Sequence, residues 1–289
     1  MAPLPWGSRF LMCPPEHFGV RYEINPWMRD QAPVDLDRAR EQWDGLRRAI
    51  EDAGAEVLVM DPHPEVPDLV FTANAGIVSG RRFVPSHFRF PERQPETAIY
   101  ADWFEAEGYE LHRLPEATDH EGAGDAVGVP RTEAPPVLVS AHPFRSDAEA
   151  TPLLADLLGC DVVPIRLVDE RLYHLDLTLC PLDDRHALCA PSGWDAAGRA
   201  TVAELVPEPL WLEEDEALAF CVNSVVVGTT VLMPSVPPRV GRQLEAWGFT
   251  PVEVPVGEFL KAGGGCRCLA LALDVDVSGP PSRRSAGPR

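Results

Sequence analysis

A helical pattern of apolar residues, then a glycine, then a short apolar strand recurs along the chain. Strong copies span residues 47–61, 103–115, 152–167 and 243–255, and a weaker copy spans 200–212. In each strong copy the glycine stands where a helix C-cap needs a left-handed residue, and an apolar or alternating pattern follows directly. The chain is therefore predicted to repeat one helix–strand unit.

Further strand or hairpin patterns lie between these copies, at 70–86, 134–144, 176–191 and 224–235. The helix in each unit argues against an all-β propeller, and a repeat period of roughly 40–55 residues indicates a closed array of equivalent units. Five mixed α/β units around a pseudo-axis fit this pattern. An ordinary α/β sheet with helices on both faces fits it as well, so the pattern alone leaves both architectures open.

The composition is that of a globular protein with a strongly negative charge. The chain has 289 residues, 45% of them hydrophobic, and a formal net charge of −20. Such a surface repels phosphate backbones and anionic membranes but attracts a small cationic substrate, so no nucleic-acid or membrane partner is expected. One domain is predicted over residues 1–277. The Gly-, Pro-, Ser- and Arg-rich residues 278–289 are predicted to be a disordered tail, and homo-oligomer formation is left open.

Seven cysteines are scattered along the chain, and none forms a C-x-x-C pair. This arrangement disfavours a zinc ribbon or a thioredoxin-type motif and is typical of free thiols in a reducing cytoplasm. The chain has no P-loop motif, and its N-terminal apolar run is too short for a signal peptide. No stretch approaches the ~18 apolar residues of a membrane span. The sequence therefore predicts a cytoplasmic protein.

Cys268 follows three consecutive glycines in the segment KAGGGCRCL, residues 261–269. Such a run is costly unless the backbone needs an unusual φ or must approach a ligand closely. A cysteine between this loop and a predicted apolar strand at 269–275 is placed like a nucleophile at the edge of a pocket. The alternative is an ordinary buried cysteine on a strand.

Two further motifs offer acid–base groups. His174 and Asp176 stand at the start of a predicted strand at 176–181, where the i, i+2 spacing would place both side chains on one face. They could supply a general acid/base and a cation-binding carboxylate, or simply form an exposed polar edge. In HEGAGD, Glu121 precedes a glycine-rich turn, which is a common arrangement in itself.

The segment PDLVFTANAG brings a carboxylate and an amide together. Asp68 precedes a predicted apolar strand, and Asn74 lies six residues later on the same face; a capping Asp and a turn Asn are the alternative. Taken together, the carboxylates suit a guanidinium, which is planar, always charged and has five N–H donors. Its carbon is a poor electrophile, so a thiolate nucleophile and a histidine acid suit its cleavage.

Four segments, in their order along the chain, resemble motifs of the guanidine-modifying (amidinotransferase-type) superfamily. They are PDLVFTANAG, HEGAGD, YHLDLTLCPL and KAGGGCRCLAL. The opening FLMCPPEHFGVRYEINPWM and the motif FTANAG are most similar to its bacterial arginine dihydrolase-like and dimethylargininase-related members. The resemblance covers about residues 9–275. It implies a five-bladed α/β propeller (pentein) of pseudo-repeated ββαβ units, which agrees with the repeat described above.

The resemblance also implies a cysteine-dependent hydrolase of the guanidinium C–N bond, in which Cys268 is the nucleophile and His174 the general acid/base. Three carboxylates would bind or orient the guanidinium: Asp68, Glu121 and Asp176. Four residues would hold the rest of the substrate, with the two arginines on its α-carboxylate: Asn25, Asn74, Arg93 and Arg145. The reaction would need no metal or organic cofactor.

Two departures from the family pattern bear on specificity. Cys266 stands where a residue other than cysteine is usual, and Asn74 stands where deiminases and typical dimethylargininases carry a carboxylate. The expected product is therefore ornithine or citrulline, from arginine or an N-methylated arginine. A dimethylargininase and an amidinotransferase are the alternative enzymes. A non-catalytic binding protein would need neither Cys268 nor His174, and a metal site at the two cysteines is the weakest alternative.

Overall fold

The structure is a computed structural model that describes residues 4–279. The strands in this part of the chain are β1 (Arg9–Met12), β2 (Glu56–Val59), β3 (Gly76–Ser79), β4 (Arg82–Pro85), β5 (Glu110–Leu111), β6 (Ala126–Arg131), β7 (Ala134–His142), β8 (Val162–Arg166), β9 (Leu179–Pro181), β10 (His186–Cys189), β11 (Glu208–Trp211), β12 (Val225–Val227), β13 (Thr230–Met233), β14 (Thr250–Glu253) and β15 (Leu271–Ala272). The helices are α1 (Leu36–Asp52), α2 (Glu96–Ala106), α3 (Gly122–Asp125), α4 (Ala150–Leu158), α5 (Ala196–Leu205), α6 (Glu214–Leu218), α7 (Pro238–Ala246) and α8 (Gly257–Leu260).

These strands form five three-stranded sheets of the same design. In four of them the first strand pairs antiparallel with the second, and a helix then crosses to a third strand parallel to the second, which gives ββαβ units. The fifth sheet has the order β15-β1-β2, so a C-terminal strand completes a unit that the N-terminal strands begin. The predicted array of five α/β units is confirmed, and the alternative of one continuous sheet is wrong.

The predicted helix–glycine–strand copies are also confirmed, and their glycines have the expected geometry. Gly54, Gly108, Gly159 and Gly248 all have positive φ and stand between a helix and the strand that follows it. The weaker copy at 200–212 corresponds to α5 and β11, and its helix ends at Leu205 without a glycine. A backbone that reverses within two or three residues after a helix needs the left-handed region, which glycine enters without a Cβ clash.

The apolar core is divided into five clusters, each of which joins two consecutive sheets and one long helix. One cluster, for example, brings Val127 of β6, Leu179 of β9 and Val202 of α5 together. Another joins Val225 of β12 to Phe10 of β1 and so closes the ring. Because each sheet packs on both neighbours, the loops ahead of the first strands all meet at one end of the pseudo-axis.

The strands predicted next to the candidate site residues are shorter than expected. Residues 67–70, 72–75 and 175–177 form 3-10 turns, and Cys266 and Cys268 lie in a turn before β15. His174 and Asp176 therefore do not share a strand face, and neither do Asp68 and Asn74. Local hydrogen bonds compete with the sheet here, such as the one from the Thr178 hydroxyl to the Leu175 carbonyl.

The described residues include no helix long and apolar enough to cross a membrane. Of the predicted tail, Ser278 and Gly279 are described, and Ser278 donates a hydrogen bond to Asp276. Residues 280–289 lie outside the described part of the chain, as do residues 1–3.

Candidate active site

In each sheet, a residue in the segment just ahead of the first strand carries a polar side chain or thiol to the end of the axis. The five positions, one from each sheet, are Asn74 before β3, Glu121 before α3 and β6, Asp176 before β9, Asn223 before β12 and Cys268 before β15. All five side chains are buried. The internal repeat thus builds one cluster from five separate parts of the sequence.

The three glycines before Cys268 allow close packing of the loop. A Cβ on Gly264 would overlap the ring of Phe71, and one on Gly265 would lie 2.7 Å from Oδ1 of Asn223. Gly263 has a φ of +81° and its carbonyl accepts a hydrogen bond from the Tyr173 hydroxyl, at 2.9 Å. The glycine run therefore serves close approach and an unusual φ, the two uses that the sequence indicated.

The thiol of Cys268 lies between a carboxylate and an amide. Its Sγ is 3.5 Å from Oδ2 of Asp176 and 3.2 Å from Nδ2 of Asn223. Burial and the charge of Asp176 raise the pKa of Cys268 well above its usual value, so the resting group is a thiol. A bound cation would oppose both effects and favour the thiolate.

Cys266 faces away from this cluster. Its Sγ lies 3.9 Å from the carbonyl of Val254, and the side chain is packed in the apolar cluster between the fourth and fifth sheets. Burial raises the pKa of the Cys266 thiol. The two cysteines lie in a turn, which points their thiols in different directions. Among the described residues no group of three or more potential ligands is arranged to hold a metal ion.

His174, Glu121 and Arg145 form a buried chain of hydrogen-bonded side chains. Nε2 of His174 is 3.0 Å from Oε2 of Glu121, which also accepts a hydrogen bond from Arg145 at 2.8 Å. Burial alone would raise the pKa of Glu121, but Arg145 and His174 outweigh it and lower that pKa to about 2. Glu121 is therefore ionised and fixes the imidazole, while its Oε1 has no hydrogen-bond partner.

Asp176 is a buried carboxylate with one oxygen unused. Its Oδ2 contacts Cys268, and its Oδ1 has no hydrogen-bond partner. Burial raises the pKa of Asp176 to about 6, although Arg267 and the hydrogen bonds from Cys268 and Asn223 oppose the shift. A buried acceptor without a partner costs free energy, on the order of 1–3 kcal/mol. A ligand with N–H donors would remove this cost.

Arg93 links the remaining predicted residues. Its guanidinium makes a two-pronged pair with Glu96 at 2.8 and 2.7 Å, donates to Oδ1 of Asn74 at 3.0 Å and lies 3.9 Å from Oδ2 of Asp68. Burial raises the pKa of Asp68, and Arg93 opposes the shift. Both arginines expected to hold an α-carboxylate therefore already have a protein carboxylate as partner, Glu96 for Arg93 and Glu121 for Arg145.

Asn25 connects the N-terminal segment to the loop that carries Cys268. Its Oδ1 accepts a hydrogen bond from the Trp27 backbone N–H at 2.9 Å, and its Nδ2 donates to the carbonyl of Ala262 at 3.0 Å. The side chain thus caps the 3-10 turn Pro26–Met28 and fixes one wall of the site.

Most of these residues line one small cavity. The lining residues are Ile24, Asn25, Met28, Asp68, Phe71, Asn74, Arg93, Arg145, Tyr173, Ala262, Gly264 and Cys268. Arg145 lies over the ring of Tyr173, 4.7 Å from its centroid, at the boundary with a wider outer cavity. Of the nine predicted residues, six line this cavity, and Glu121, His174 and Asp176 contact its walls.

Several residues of the site were not predicted. Ser146 accepts a hydrogen bond from the Glu121 backbone N–H and donates to Asp125 at 2.6 Å, and Asp125 accepts from the N–H of Leu175. This relay fixes HEGAGD against YHLDL. Asp125 stands inside a quoted motif, but Ser146 and Glu96 carry no local signal. Asn223 could have been found from its position before a first strand.

The cluster holds more carboxyl groups than arginine side chains. Two arginines face four buried carboxylates in and behind the cavity: Asp68, Glu96, Glu121 and Asp176. Buried carboxylate oxygens without a hydrogen-bond partner suit a planar cation with several N–H donors, and the histidine held by Glu121 can transfer protons.

A family profile described as "N,N dimethylarginine dimethylhydrolase, eukaryotic" matches residues 14–274. The chain belongs to this family. The resemblance to guanidine-modifying hydrolases predicted from the motifs is therefore confirmed.

Among curated proteins, the bifunctional arginine dihydrolase/ornithine cyclodeaminase AgrE of a Nostoc species is 41% identical over 272 residues, 93% of this chain. The dimethylarginine dimethylaminohydrolase of Mycobacterium tuberculosis is 36% identical over 271 residues, 93% of this chain and 87% of its own length. The chain spans only 38% of the length of AgrE and of the similar bifunctional ArgZ of a Synechocystis species.

Solved structures of the N-terminal domain of ArgZ, an arginine dihydrolase of cyanobacteria, have the same fold. The substrate-bound form of that domain has a TM-score of 0.89 and 38% identity, and covers 93% of this chain and 99% of its own. Another form, with a TM-score of 0.90, is covalently bound to a reaction intermediate. The five-unit fold is thus that of the dimethylarginine dimethylhydrolase family and its arginine dihydrolase relatives.

Proposed function

We propose that this protein hydrolyses the guanidinium C–N bond of arginine or a close relative through a covalent intermediate on Cys268. The observation that carries this proposal is a buried thiol in contact with the buried carboxylate of Asp176, together with a second buried carboxylate, Glu121, that holds His174. Each carboxylate has one oxygen without a hydrogen-bond partner among the described residues. A guanidinium would supply N–H donors to both oxygens.

In the first step, Sγ of Cys268 bonds to the guanidinium carbon and the bond from that carbon to one nitrogen breaks. The thiol proton reaches the departing nitrogen by way of His174, so ammonia or a methylamine leaves and a cationic S-alkylthiouronium remains. The bound cation favours the thiolate because it offsets the charge of Asp176.

In the second step, His174 takes a proton from a water molecule that attacks the same carbon. The C–S bond breaks, the thiol of Cys268 is restored, and a ureido product such as citrulline forms. Glu121 acts through His174, because its ionised carboxylate holds the imidazole and stabilises the imidazolium form.

For the substrate, we propose arginine with a second C–N cleavage, which converts citrulline and water to ornithine, carbon dioxide and ammonia. Asn74 supports this choice because its Nδ2 carries two hydrogens and makes one hydrogen bond, to the Glu121 carbonyl at 3.3 Å. The remaining hydrogen can be donated to a neutral ureido oxygen, which a carboxylate could not do. The relatives AgrE and ArgZ, both named arginine dihydrolases, point the same way.

A dimethylargininase is the second candidate, because the family profile and the Mycobacterium tuberculosis relative carry that name. The test is to incubate the protein with arginine, methylated arginines and agmatine, and to quantify the products by mass spectrometry. Two ammonia per ornithine from arginine supports the dihydrolase, and Asn74→Asp should shift the product towards citrulline. Stoichiometric citrulline, or activity on methylated arginine alone, would overturn it. Transfer to an added amine would indicate an amidinotransferase.

The setting we propose for this enzyme is a reducing cytoplasm, with no nucleic-acid partner. All seven cysteines are buried and unpaired, and the net charge of −20 would repel a phosphate backbone. Homo-oligomer formation stays a prediction, which sedimentation analysis of the full chain would check.

A further inference from the structure

Asn223 is the fifth polar residue at the end of the axis. It is fully buried in the turn between α6 and β12, at the position in the fourth sheet that Asp176 and Cys268 hold in theirs. The proposed reaction gives this side chain no role.

The orientation of the Asn223 amide follows from its contacts. Its Oδ1 accepts hydrogen bonds from the backbone N–H groups of Arg267, at 3.0 Å, and Cys268, at 3.2 Å. A rotated amide would place an NH₂ group against these two donors, so the rotated form is excluded. Nδ2 therefore points to Sγ of Cys268, at 3.2 Å, and to the carbonyl of Asp176, at 3.3 Å.

Two neighbours of Sγ therefore have opposite effects on the ionisation of the Cys268 thiol. Asp176 disfavours negative charge on Sγ, whereas the N–H of Asn223 favours it, and among the described side chains Asn223 is the one amide that donates to Sγ. The absence of a Cβ on Gly265 permits this approach, because an added Cβ would lie 2.7 Å from Oδ1 of Asn223. Three features of the loop therefore bring the Asn223 amide and Sγ together: its glycine, its backbone N–H groups and its cysteine.

We propose that Asn223 is a catalytic residue, whose Nδ2–H donates a hydrogen bond to the Cys268 thiolate while its Oδ1 fixes the turn that carries the nucleophile. The proposal rests on the role of Cys268 as nucleophile. The Nδ2–H of Asn223 stabilises the Cys268 thiolate when it forms, and again when it leaves the covalent intermediate.

The two halves of the amide can be tested separately. Asn223→Asp keeps the acceptor for the two backbone N–H groups, loses the donor and adds a negative charge. Asn223→Ala loses both. The matched control is Ser224→Ala in the same turn, because the Ser224 hydroxyl bonds the Cys221 carbonyl and does not contact Cys268.

The measurement is the rate of alkylation of Cys268 as a function of pH, with neutral iodoacetamide and with cationic 2-chloroacetamidine, located by peptide mass spectrometry. Asn223→Asp should slow alkylation at neutral pH at least tenfold and move the midpoint of the profile to higher pH. Turnover should lose kcat at little change in KM. A cooperative thermal unfolding transition shows that the variant is folded, although its buried charge lowers the midpoint. The charged or titratable groups around Sγ and in the cavity that it lines are intact in each variant: Asp68, Arg93, Arg145, Tyr173, Asp176 and Arg267. His174 is joined to Arg145 through Glu121.

Ser224→Ala should react like the wild type. Wild-type alkylation rates and an unshifted pH profile in Asn223→Asp would overturn the proposal, even with Cys268 as the labelled residue. Labelling of a different cysteine in the wild type would instead overturn the proposed function. The two failures are therefore distinguishable.

Discussion

At the scale of single residues, Cys268 and Cys266 differ in what surrounds them. Cys268 contacts Asp176 and Asn223 in the cavity, whereas Cys266 packs in an apolar cluster. We expect Cys268→Ser to abolish turnover and Cys266→Ser to keep most of it, at a modest cost in stability for the buried hydroxyl. The measurement is turnover of arginine together with labelling by 2-chloroacetamidine. A label on Cys266 would assign the nucleophile to that residue instead.

Asp176 couples activity to stability. Its pKa of about 6 lies above the ordinary 3.8, so the folded protein binds this proton more tightly than the unfolded chain. The free energy of unfolding that this bound proton contributes is fully present below about pH 4 and is lost as pH rises through about 6. A shift of about two pKa units corresponds to about 3 kcal/mol.

Asp176→Asn removes this titration and the charge that we propose binds the guanidinium. We expect at least a hundredfold loss of activity, because loss of one partner of a buried charge pair typically costs about 3–5 kcal/mol. The unligated variant should be more stable than the wild type at pH 8, by up to about 3 kcal/mol, and equal to it near pH 4. Urea unfolding at both pH values checks this. Near-normal kinetics would mean that the carboxylate has a purely structural role.

At the scale of elements, the sequence predicted the helices, their glycine C-caps and the hairpins, because those depend on local periodicity and backbone conformation. It misplaced the strands beside the site. Residues 175–177 have the apolar pattern of a strand, yet hydrogen bonds such as that from Thr178 to the Leu175 carbonyl form a 3-10 turn. Contacts between sheets, such as that of Asn223 with Cys268, depend on the assembled ring and leave no local signal.

The short helix α3 places Gly124 against two site residues. A Cβ there would overlap Nδ2 of Asn74 and lie 3.2 Å from Nδ1 of His174. We therefore expect Gly124→Ala to reduce kcat/KM at least tenfold by displacing both side chains. The matched control is Gly45→Ala inside α1, where an added Cβ meets nothing within 4 Å. It should keep full activity and gain about 0.5–1 kcal/mol of stability from helix propensity. Unchanged kinetics in Gly124→Ala would show that the site tolerates displacement.

At the scale of the whole molecule, the ring is closed by the two ends of the described chain. Strand β15 pairs with β1, and the Leu273 N–H donates to the Arg9 carbonyl at 2.8 Å. Asp274 accepts hydrogen bonds from the backbone N–H groups of Gly7 and Ser8. The repeat in the sequence indicated five units. It could not predict that the C-terminal strand β15 pairs with the N-terminal strand β1, because each end of the chain holds only part of that unit.

This closure predicts different results for two truncations. A chain that ends at Ala270 lacks β15 and the buried Leu271 and Leu273, so β1 gains an open edge and an apolar cluster is exposed. It should lose cooperative unfolding and bind a hydrophobic dye, whereas a chain that ends at Gly279 keeps the closure and should unfold like the full chain. In the full chain, Leu273→Ala should cost about 2–5 kcal/mol. The opposite result would be cooperative unfolding of the Ala270 truncation at the wild-type midpoint. Four complete sheets and the two-stranded remnant of the fifth would then be enough for the fold, and the closed five-sheet ring would not be needed to hold Cys268 opposite Asp176.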